Sequence, residues 1–253
     1  MRAGSKEAIS ATFRVHKKVL QPVTTGVPQL VPGVTRPTSP VIGTCFAFRN
    51  PRFFVTAAHV LDGLSLDDIL IAVQTSRGDR ALLSPSNVIH HPDADVAILE
   101  VPPDQELPTS LSFFKSIERP QMGEDFFAYG FPIFGGERLD PRVLWGAFQT
   151  FRHYTSCLTR EADKRPYTYF AGELSIPCPR GLSGGPVFRR DRHDVLLAIV
   201  TENHEEGTEI SYSEELAIKD GQKNFTSTKN VILYGMSVVA AAIENWLVQE
   251  IPI

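Results

Sequence analysis

Three residue types that together can perform nucleophilic catalysis lie in three short motifs of this chain. Ser183 stands among glycines in GLSGGP, His59 follows an apolar run in FVTAAHV, and Asp95 precedes an apolar run in HPDADVAILEV. A serine hydroxyl is a weak nucleophile, so it needs a base within hydrogen-bond reach and a group that orients the base. An imidazole and a buried carboxylate meet these needs, and the motifs therefore predict Ser-His-Asp chemistry.

The elements that must position these residues are short strands. From residue 41 onward the chain alternates between turn residues and apolar runs such as VIGTCFAF, RFFVTAA, DVAILEV, DFFAYGF and VLLAIVTEN. This spacing favours antiparallel barrels or sandwiches over βαβ units. A turn-rich segment at about residues 107–126 predicts a boundary between two β halves. The apolar spacing of SVVAAAIENWLVQEI predicts one helix at the end of the chain.

Residues 1–40 differ from the rest in their proline content. Proline at this density blocks helix interiors and central strands, so we expect an extended arm that lies on the folded body. The prolines that carry this expectation are Pro22, Pro28, Pro32, Pro37 and Pro40.

Composition and charge exclude several classes of protein. Of the 253 residues, 42% are hydrophobic and 21% charged, which predicts a folded core rather than disorder. The net charge is -4 and no run of Lys or Arg occurs, so nucleic acid is not an expected partner. No apolar stretch is long enough to cross a membrane or to act as a signal peptide, and we expect a cytoplasmic protein with no membrane contact.

Cysteine and histidine usage argues against a disulfide framework and against a metal. Cys45, Cys157 and Cys178 are odd in number and widely spaced, which is typical of reduced thiols. No HExxH motif or paired-cysteine spacing occurs, so we expect neither a metal nor an organic cofactor.

The serine motif also fits a second fold. Gly181 to Gly185 match the G-x-S-x-G elbow of α/β-hydrolases, in which the order along the chain is serine, acid, histidine and the serine precedes a helix. Here the order is His59, Asp95, Ser183, and strand-like PVF follows the serine. The α/β-hydrolase interpretation therefore fails, and a glycine turn without chemistry remains as the other alternative.

The blocks TAAHV, DVAIL and GLSGGPV, in that order, resemble the signature blocks of trypsin-like (chymotrypsin-fold) serine proteases, particularly bacterial members without disulfides. GEDFFAYGFP, LLAIVTEN and AAIENWL are similar to further segments of that family, so the resemblance covers roughly residues 40–250. It implies an all-β fold of two packed antiparallel six-stranded β-barrels with a C-terminal α-helix. The implied peptidase domain is 41–253, with the first barrel over about 41–115, the second over about 120–236 and the helix over about 237–250.

The resemblance implies a role for each motif residue. His59 would be the general base, Asp95 its orienting acid and Ser183 the nucleophile, with the backbone N–H groups of Gly181 and Ser183 as the oxyanion hole. Asp93 is the other acid in that motif, and we expect it to cap the turn after the preceding proline. The implied activity is that of a serine endopeptidase acting on proteins or peptides. The alternative is a protease-fold binding or regulatory module with little or no turnover.

Two departures from the secreted members of the family bear on control. Val60 replaces the cysteine that usually follows the catalytic histidine, so a disulfide beside the site cannot form. Leu182 replaces the aspartate that pairs with a newly cut N-terminus in zymogens. We therefore expect an enzyme that is competent as synthesised or is controlled by a regulatory protein partner or by mobile loops.

The same resemblance assigns residues to the substrate pocket. Pro177 falls on the pocket floor, Gly235 on a wall, and Asn203 replaces a glycine and narrows the entrance. Thr201 falls where the family has a serine whose hydroxyl contacts the catalytic aspartate. Next to it an acidic stretch is either a solvated loop or a rim that attracts basic substrates. Its glutamates are Glu202, Glu205, Glu206, Glu209, Glu214 and Glu215.

Overall fold

The computed structural model describes most of the chain from residue 41 onward and one earlier strand. The described residues are 12–17, 41–74, 80–108, 111, 113–132, 141–204, 209–219, 222–231 and 234–253. Within them the protein is mostly β, with one α-helix and three short 3-10 helices. None of the helices in these ranges is both long and apolar enough to cross a membrane.

Seven strands form the first sheet, and all their pairings are antiparallel. They are β1 (Thr12–Lys17), β2 (Val41–Phe48), β3 (Asn50–Thr56), β4 (Ile69–Gln74), β5 (Arg80–Leu83), β6 (Asn87–His90) and β7 (Ala97–Glu100). Their order across the sheet is β5-β4-β1-β2-β3-β7-β6. Two 3-10 helices, Ala58–Leu61 and Leu66–Asp68, connect β3 to β4.

Strand β1 comes from the segment that the sequence predicts to be an extended arm. Its six residues pair with β2 on one side and with β4 on the other. The rest of the predicted arm, residues 1–11 and 18–40, lies outside the described residues. Residues 12–17 therefore contribute a strand to the interior of the first sheet.

The second sheet also has seven strands. They are β8 (Ser116–Ile117), β9 (Asp125–Gly130), β10 (Arg142–Thr159), β11 (Pro166–Leu174), β12 (Pro186–Arg189), β13 (Val195–His204) and β16 (Tyr234–Val239). Their order is β12-β9-β10-β11-β16-β13-β8, and β12 also pairs with β13. This additional pairing closes six strands into a ring, while β8 adds to β13 in parallel. Strands β14 (Glu209–Lys219) and β15 (Gln222–Val231) form a separate antiparallel pair.

The predicted pair of six-stranded barrels is not confirmed by this topology. Each sheet has seven strands, and among the described residues the pairing that closes a ring of six is found in the second sheet. The mostly β character is confirmed.

The C-terminal helix is shorter than the sequence predicts. Residues 237–239 end strand β16, a 3-10 helix follows at Ala240–Ala242, and the α-helix, here α1, is Glu244–Glu250. Val238 and Val239 are buried and pair with β11 and β13. The helical spacing of SVVAAA is thus overridden by sheet pairing, because β-branched valines also suit a strand.

Two apolar clusters lie beneath the candidate site. The larger includes Phe46 and Phe54 of the first sheet. The smaller includes Phe126 and Leu197 of the second sheet, and also Leu182 from the loop that carries Ser183. The side chain next to Ser183 is therefore anchored in the core of the second sheet.

Candidate active site

His59 is held directly after strand β3. That strand ends at Thr56, Ala57 and Ala58 are completely buried, and His59 lies in the first 3-10 helix. Small side chains at 57 and 58 let the backbone turn inside the core, while the imidazole stays partly exposed at a side-chain accessibility of 20%. The following Val60 packs closely against Gly43: a Cβ added to Gly43 would lie 2.6 Å from Cγ1 of Val60. The histidine is thus presented from a well-packed turn.

Asp95 holds His59 through two hydrogen bonds. Its Oδ2 lies 2.6 Å from the imidazole Nδ1, and its Oδ1 accepts the backbone N–H of His59 at 2.9 Å. The carboxylate is fully buried just before strand β7. Because a carboxylate can only accept, Nδ1 carries the proton and Nε2 is left as the basic nitrogen.

Asp93, the other acid of the motif, has a different role. It is exposed, its carbonyl accepts the N–H of Thr168 at 2.9 Å, and its N–H donates to His91 Nδ1 at 3.0 Å. The structure therefore brings His59 together with Asp95 and places Asp93 in the turn that leads to it.

The charges around the imidazole favour its protonated form. Burial lowers the pKa of His59, but the charge of Asp95 and its hydrogen bond raise it, and Glu202 and Asp62 add to this effect. The net result is a pKa raised above the ordinary value of 6.5. An imidazolium formed by proton transfer would be stabilised by the same carboxylates.

We call residues 180–185 the Ser183 loop. Gly181 and Gly184 have φ of +89° and +82°, a backbone region that side chains with a Cβ disfavour. A Cβ at Gly184 would collide with the carbonyl oxygen of Thr44 and with Thr56 Oγ1, and would lie 2.9 Å from the backbone nitrogen of Ala57. The loop therefore lies directly against the first sheet and the residues that lead into His59.

Over residues 181–184 the backbone amides of the Ser183 loop alternate between paired and unpaired. Leu182, Gly184 and Gly185 donate to the carbonyls of Pro179, Val200 and Leu182, at 3.0, 2.8 and 2.8 Å. Among the residues that the structure describes, no acceptor pairs with the amides of Gly181 and Ser183. Two unpaired donors two residues apart, beside a serine hydroxyl, can bind a negatively charged oxygen.

The hydroxyl of Ser183 donates to the carbonyl of Thr201 at 2.8 Å. Thr201 is in β13, so this bond ties the serine side chain to a strand of the second sheet. Rotation about the serine χ1 would release the hydroxyl from this carbonyl.

Leu182 is buried with no exposed surface, and its Cδ1 would lie 2.8 Å from a Cβ on Gly130. An isobutyl group occupies this space, so the position offers no carboxylate to a cationic N-terminus.

The residues that the sequence assigns to the substrate pocket lie near one another, and two of them contact the backbone beside the predicted pocket floor. Pro177 is exposed. Asn203 accepts the N–H of Cys178 at 2.6 Å and donates to its carbonyl at 2.9 Å, so its amide holds the segment that contains Pro177. Gly235 donates its N–H to Ile176 at 2.8 Å, and a Cβ there would collide with the Cys178 thiol. Asn203 and Gly235 therefore fix the backbone beside the predicted pocket floor.

Thr201 differs from its expected role. Its hydroxyl lies 3.0 Å from the Tyr169 hydroxyl and donates to the Met236 carbonyl at 3.1 Å. The expected contact with Asp95 is not made, because the hydroxyl is directed into the second sheet. The carbonyl of Thr201, which the sequence does not single out, contacts Ser183 instead.

Glu202 is the member of the acidic stretch whose side chain the structure describes. Its carboxylate accepts the Tyr169 hydroxyl and the Cys157 thiol, each at 3.3 Å. Of the other predicted members, Glu205 and Glu206 lie outside the described residues. The backbone of Glu209, Glu214 and Glu215 lies in β14, while their side chains are outside the described part.

Thr44 is the functional candidate that the sequence does not reveal. It lies in β2 and is bonded to both Gly181 and Ser183. A threonine within a strand is ordinary, and no motif marks it.

For metals, the described ranges hold no group of three or more His, Cys, Asp or Glu side chains that could ligate an ion.

Comparison with solved structures gives the fold. The Rv3671c protease of M. tuberculosis in its active form matches with a TM-score of 0.59 and 18% identity, covering 97% of this chain and 82% of that one. The MamO protease domain of Magnetospirillum magneticum matches with a TM-score of 0.58 and 16% identity, covering 96% of this chain and 98% of that one. The HtrA-type protease AlgW with a tripeptide matches with a TM-score of 0.54 and 15% identity, covering 98% of this chain and 64% of that one. At these identities the likeness shows a chymotrypsin-like protease fold and nothing beyond the fold.

Sequence comparison gives the family. No curated protein sequence matches this chain significantly. The sequence model of the trypsin-like peptidase domain matches residues 43–199, more than half of the chain and the part that holds His59, Asp95 and Ser183. The predicted resemblance is confirmed, and the chain belongs to the family of trypsin-like peptidase domains.

Proposed function

We propose that this chain is a serine endopeptidase that hydrolyses peptide bonds with His59, Asp95 and Ser183 through an acyl-enzyme. The observation that carries the proposal is that Asp95 makes two hydrogen bonds to His59 while the backbone amides of Gly181 and Ser183 are unpaired. A glycine turn without chemistry has no need of either feature. A peptidase domain also implies protein or peptide substrates.

In the proposed mechanism, Ser183 first rotates from the Thr201 carbonyl toward His59. As its oxygen bonds to the scissile carbonyl carbon, Nε2 of His59 takes the hydroxyl proton, and Asp95 stabilises the imidazolium. The carbonyl oxygen becomes negative and is bound by the amides of Gly181 and Ser183. The tetrahedral intermediate collapses, the C–N bond breaks, and His59 protonates the leaving amine.

The second half of the reaction repeats these roles with water. His59 removes a proton from water as the water oxygen attacks the acyl carbon, and the same amides bind the oxyanion. The bond to Ser183 Oγ then breaks and the imidazolium returns the proton to it. Every proposed step uses side chains or amides of this chain.

Control of the proposed enzyme differs from that of secreted zymogens. The buried Leu182 supports an oxyanion hole that is assembled without a new N-terminus, because an apolar side chain already fixes the loop. A regulatory protein partner or loop movement is the remaining route of control.

We also propose that six strands of the first sheet close into a barrel, as six strands of the second sheet do.

A cytoplasmic location is also proposed. Cys45, Cys157 and Cys178 form no disulfide. Burial raises the pKa of the Cys45 thiol well above its ordinary value and that of Cys178 to about 12, so both stay protonated and unreactive. Fractionation of the source cells with an antibody to this chain tests the location.

One observation favours a second candidate, a protease-fold binding or regulatory module. The hydroxyl of Ser183 is engaged by the Thr201 carbonyl, and a hydroxyl held there is not activated by the imidazole. For such a module, the biological effect would survive replacement of Ser183.

The deciding experiment is covalent labelling of the full chain with a fluorophosphonate probe. We expect one label per chain on Ser183, because an activated serine attacks phosphorus as it attacks a carbonyl. Ser183→Ala should lose the label, whereas Ser175→Ala, a serine in the same region whose hydroxyl accepts the N–H of Ala147, should keep it. Labelling that is absent from the wild type, or equal in wild type and Ser183→Ala, would favour the binding module.

A further inference from the structure

A single threonine of the first sheet joins the segments that build the candidate oxyanion hole. Thr44 lies in β2, is fully buried, and contacts the Ser183 loop although it is 137 residues from Gly181 in sequence. We propose that Thr44 is a positioning residue, which holds the Ser183 loop so that its two free amides face the substrate. The inference rests on the proposed function, since it assigns a role within that site.

The hydroxyl of Thr44 uses both its hydrogen and a lone pair. It donates to the carbonyl oxygen of Gly181 at 2.7 Å and accepts the N–H of Phe131 at 3.2 Å. The backbone of Thr44 adds a bond from its N–H to the carbonyl of Ser183 at 2.8 Å, and its own carbonyl accepts the Thr56 hydroxyl at 2.7 Å. One residue therefore connects β2, β3, the end of β9 and the Ser183 loop.

These bonds fix two peptide groups of the loop. In the peptide between Gly181 and Leu182, the carbonyl is held by Thr44 and the N–H by the Pro179 carbonyl. In the peptide between Ser183 and Gly184, the carbonyl is held by the Thr44 N–H and the N–H by Val200. A trans peptide directs its carbonyl and N–H to opposite sides, so pinning both ends removes its rotation.

The unpaired amides of Gly181 and Ser183 alternate with these fixed peptides. The Ser183 amide lies between two fixed peptides and the Gly181 amide directly before one, so the fixed peptides restrain the directions of both. Gly181 needs this restraint most, because a glycine at φ +89° has access to a wider range of conformations than other residues. Within the described part of the chain, Thr44 is the group that bonds to the Gly181 carbonyl.

Removal of the hydroxyl has a specific consequence. It leaves the buried carbonyl of Gly181 without the hydrogen bond that Thr44 supplies, and a buried polar group that loses its hydrogen bond is costly. The Gly181–Leu182 peptide can reduce that cost by rotating. Because it shares the Gly181 Cα with the preceding peptide, which carries the Gly181 N–H, its movement would also displace that N–H from the oxyanion. The transition state, which carries the negative charge, would then lose more stabilisation than the bound substrate.

The test compares Thr44→Val, which has the shape of threonine without the hydroxyl, with Thr44→Ser, which keeps the hydroxyl. For Thr44→Val we expect kcat to fall about 10- to 100-fold, the scale of a misplaced oxyanion donor, with little change in KM. Thr44→Ser should recover most of the lost kcat. Ser237→Ala is the matched control, because it removes another buried hydroxyl that donates to a glycine carbonyl, that of Gly172 at 2.8 Å.

Crystal structures of the two Thr44 variants decide the question even without turnover. We expect a rotated Gly181–Leu182 peptide in Thr44→Val and the original orientation in Thr44→Ser. If the wild type shows no turnover or labelling, the proposed function fails, and the orientation of this peptide alone judges the role of Thr44. An unrotated peptide in Thr44→Val, or a kcat equal to that of the wild type, overturns the inference.

Discussion

At the scale of single residues, the candidate site combines groups whose chemistry a sequence reveals with groups whose chemistry it hides. His59, Asp95 and Ser183 were predictable because their residue types and order fit one reaction. Thr44 was not, since its hydroxyl acquires a function only when a loop distant in sequence folds against it. The contact predicted for Thr201 is wrong because its hydroxyl contacts Tyr169 and Met236, while its carbonyl, a group that every residue has, contacts Ser183.

Glu202 leads to a prediction about the pH dependence of activity. Its charge contributes to the raised pKa of His59, so Glu202→Gln should lower that pKa. Because the base must be neutral to accept a proton, the acid limb of kcat/KM should move to lower pH. Glutamine is almost isosteric and can still accept from Tyr169, which isolates the effect of charge.

The measurement is a pH–rate profile with a small peptide substrate. Glu173→Gln is the matched control, since Glu173 lies in β11 and pairs with Arg152 at 3.8 Å. Its acid limb should coincide with that of the wild type. An acid limb of Glu202→Gln that stays in place or moves to higher pH would contradict the assigned role.

At the scale of elements, the turn that carries Asp95 is organised by a neutral histidine. His91 Nδ1 accepts the N–H groups of Asp93 and Ala94 at 3.0 and 2.8 Å, and its ring packs edge-on against Trp246 of α1 at 4.8 Å. Burial lowers the pKa of His91, and the charge of Asp93 only partly opposes this. The turn before β7 is therefore tied to the C-terminal helix through a ring that must be uncharged to accept.

This arrangement predicts a loss of stability in acid. Because the pKa of His91 is lower in the folded than in the unfolded protein, the unfolded chain binds more protons as the pH falls below 6.5. Stability from the neutral ring is complete above that pH and is lost as the pH falls toward the folded pKa. His91→Gln keeps an uncharged acceptor, so its urea-unfolding free energy should fall less than that of the wild type between about pH 7 and about pH 5.

Comparison of the two proteins in the same buffers cancels the other titrating groups, including His59 and His90. If the wild type and His91→Gln lose stability in parallel over this range, the neutral-acceptor role of His91 is wrong.

The elements themselves were predictable to different degrees. Strands β3 and β7 contain apolar runs, residues 53–55 and 97–99, that are buried on both faces, which a short apolar run indicates directly. The boundary between β16 and α1 was not predictable, since valine and alanine in SVVAAA fit a helix or a strand until β11 and β13 are in place. The closed ring of the second sheet likewise depends on a pairing of β12 with both β9 and β13 that no local pattern encodes.

At the scale of the whole molecule, the candidate site exists only where the two sheets meet. His59 and Asp95 lie on connections between strands of the first sheet and Ser183 lies in the loop before β12 of the second. The reaction therefore requires the Ser183 loop to dock against β2 and β3. At Gly184 the loop lies so close to the first sheet that a Cβ would meet Thr44 and Thr56. The docking can therefore be disturbed by the addition of one carbon atom.

Gly184→Ala should consequently impair stability and activity together. The change adds a left-handed backbone penalty to a steric clash, and we expect the free energy of unfolding to fall by about 2–5 kcal/mol. Gly123→Ala separates the two effects, because Gly123 has a φ of +78° but nothing within 4 Å of its Cβ position. Its expected cost is the backbone penalty alone, about 1–2 kcal/mol, with full labelling of Ser183.

Urea unfolding and fluorophosphonate labelling of both variants make the comparison. Where Gly184→Ala remains folded, its labelling should still drop, because the loop must withdraw from the first sheet to admit the new methyl group and Ser183 withdraws with it. Equal stability of the two variants together with normal labelling of Gly184→Ala would mean that the loop tolerates displacement. The close docking of the sheets would then be a consequence of packing and not a requirement of the proposed chemistry.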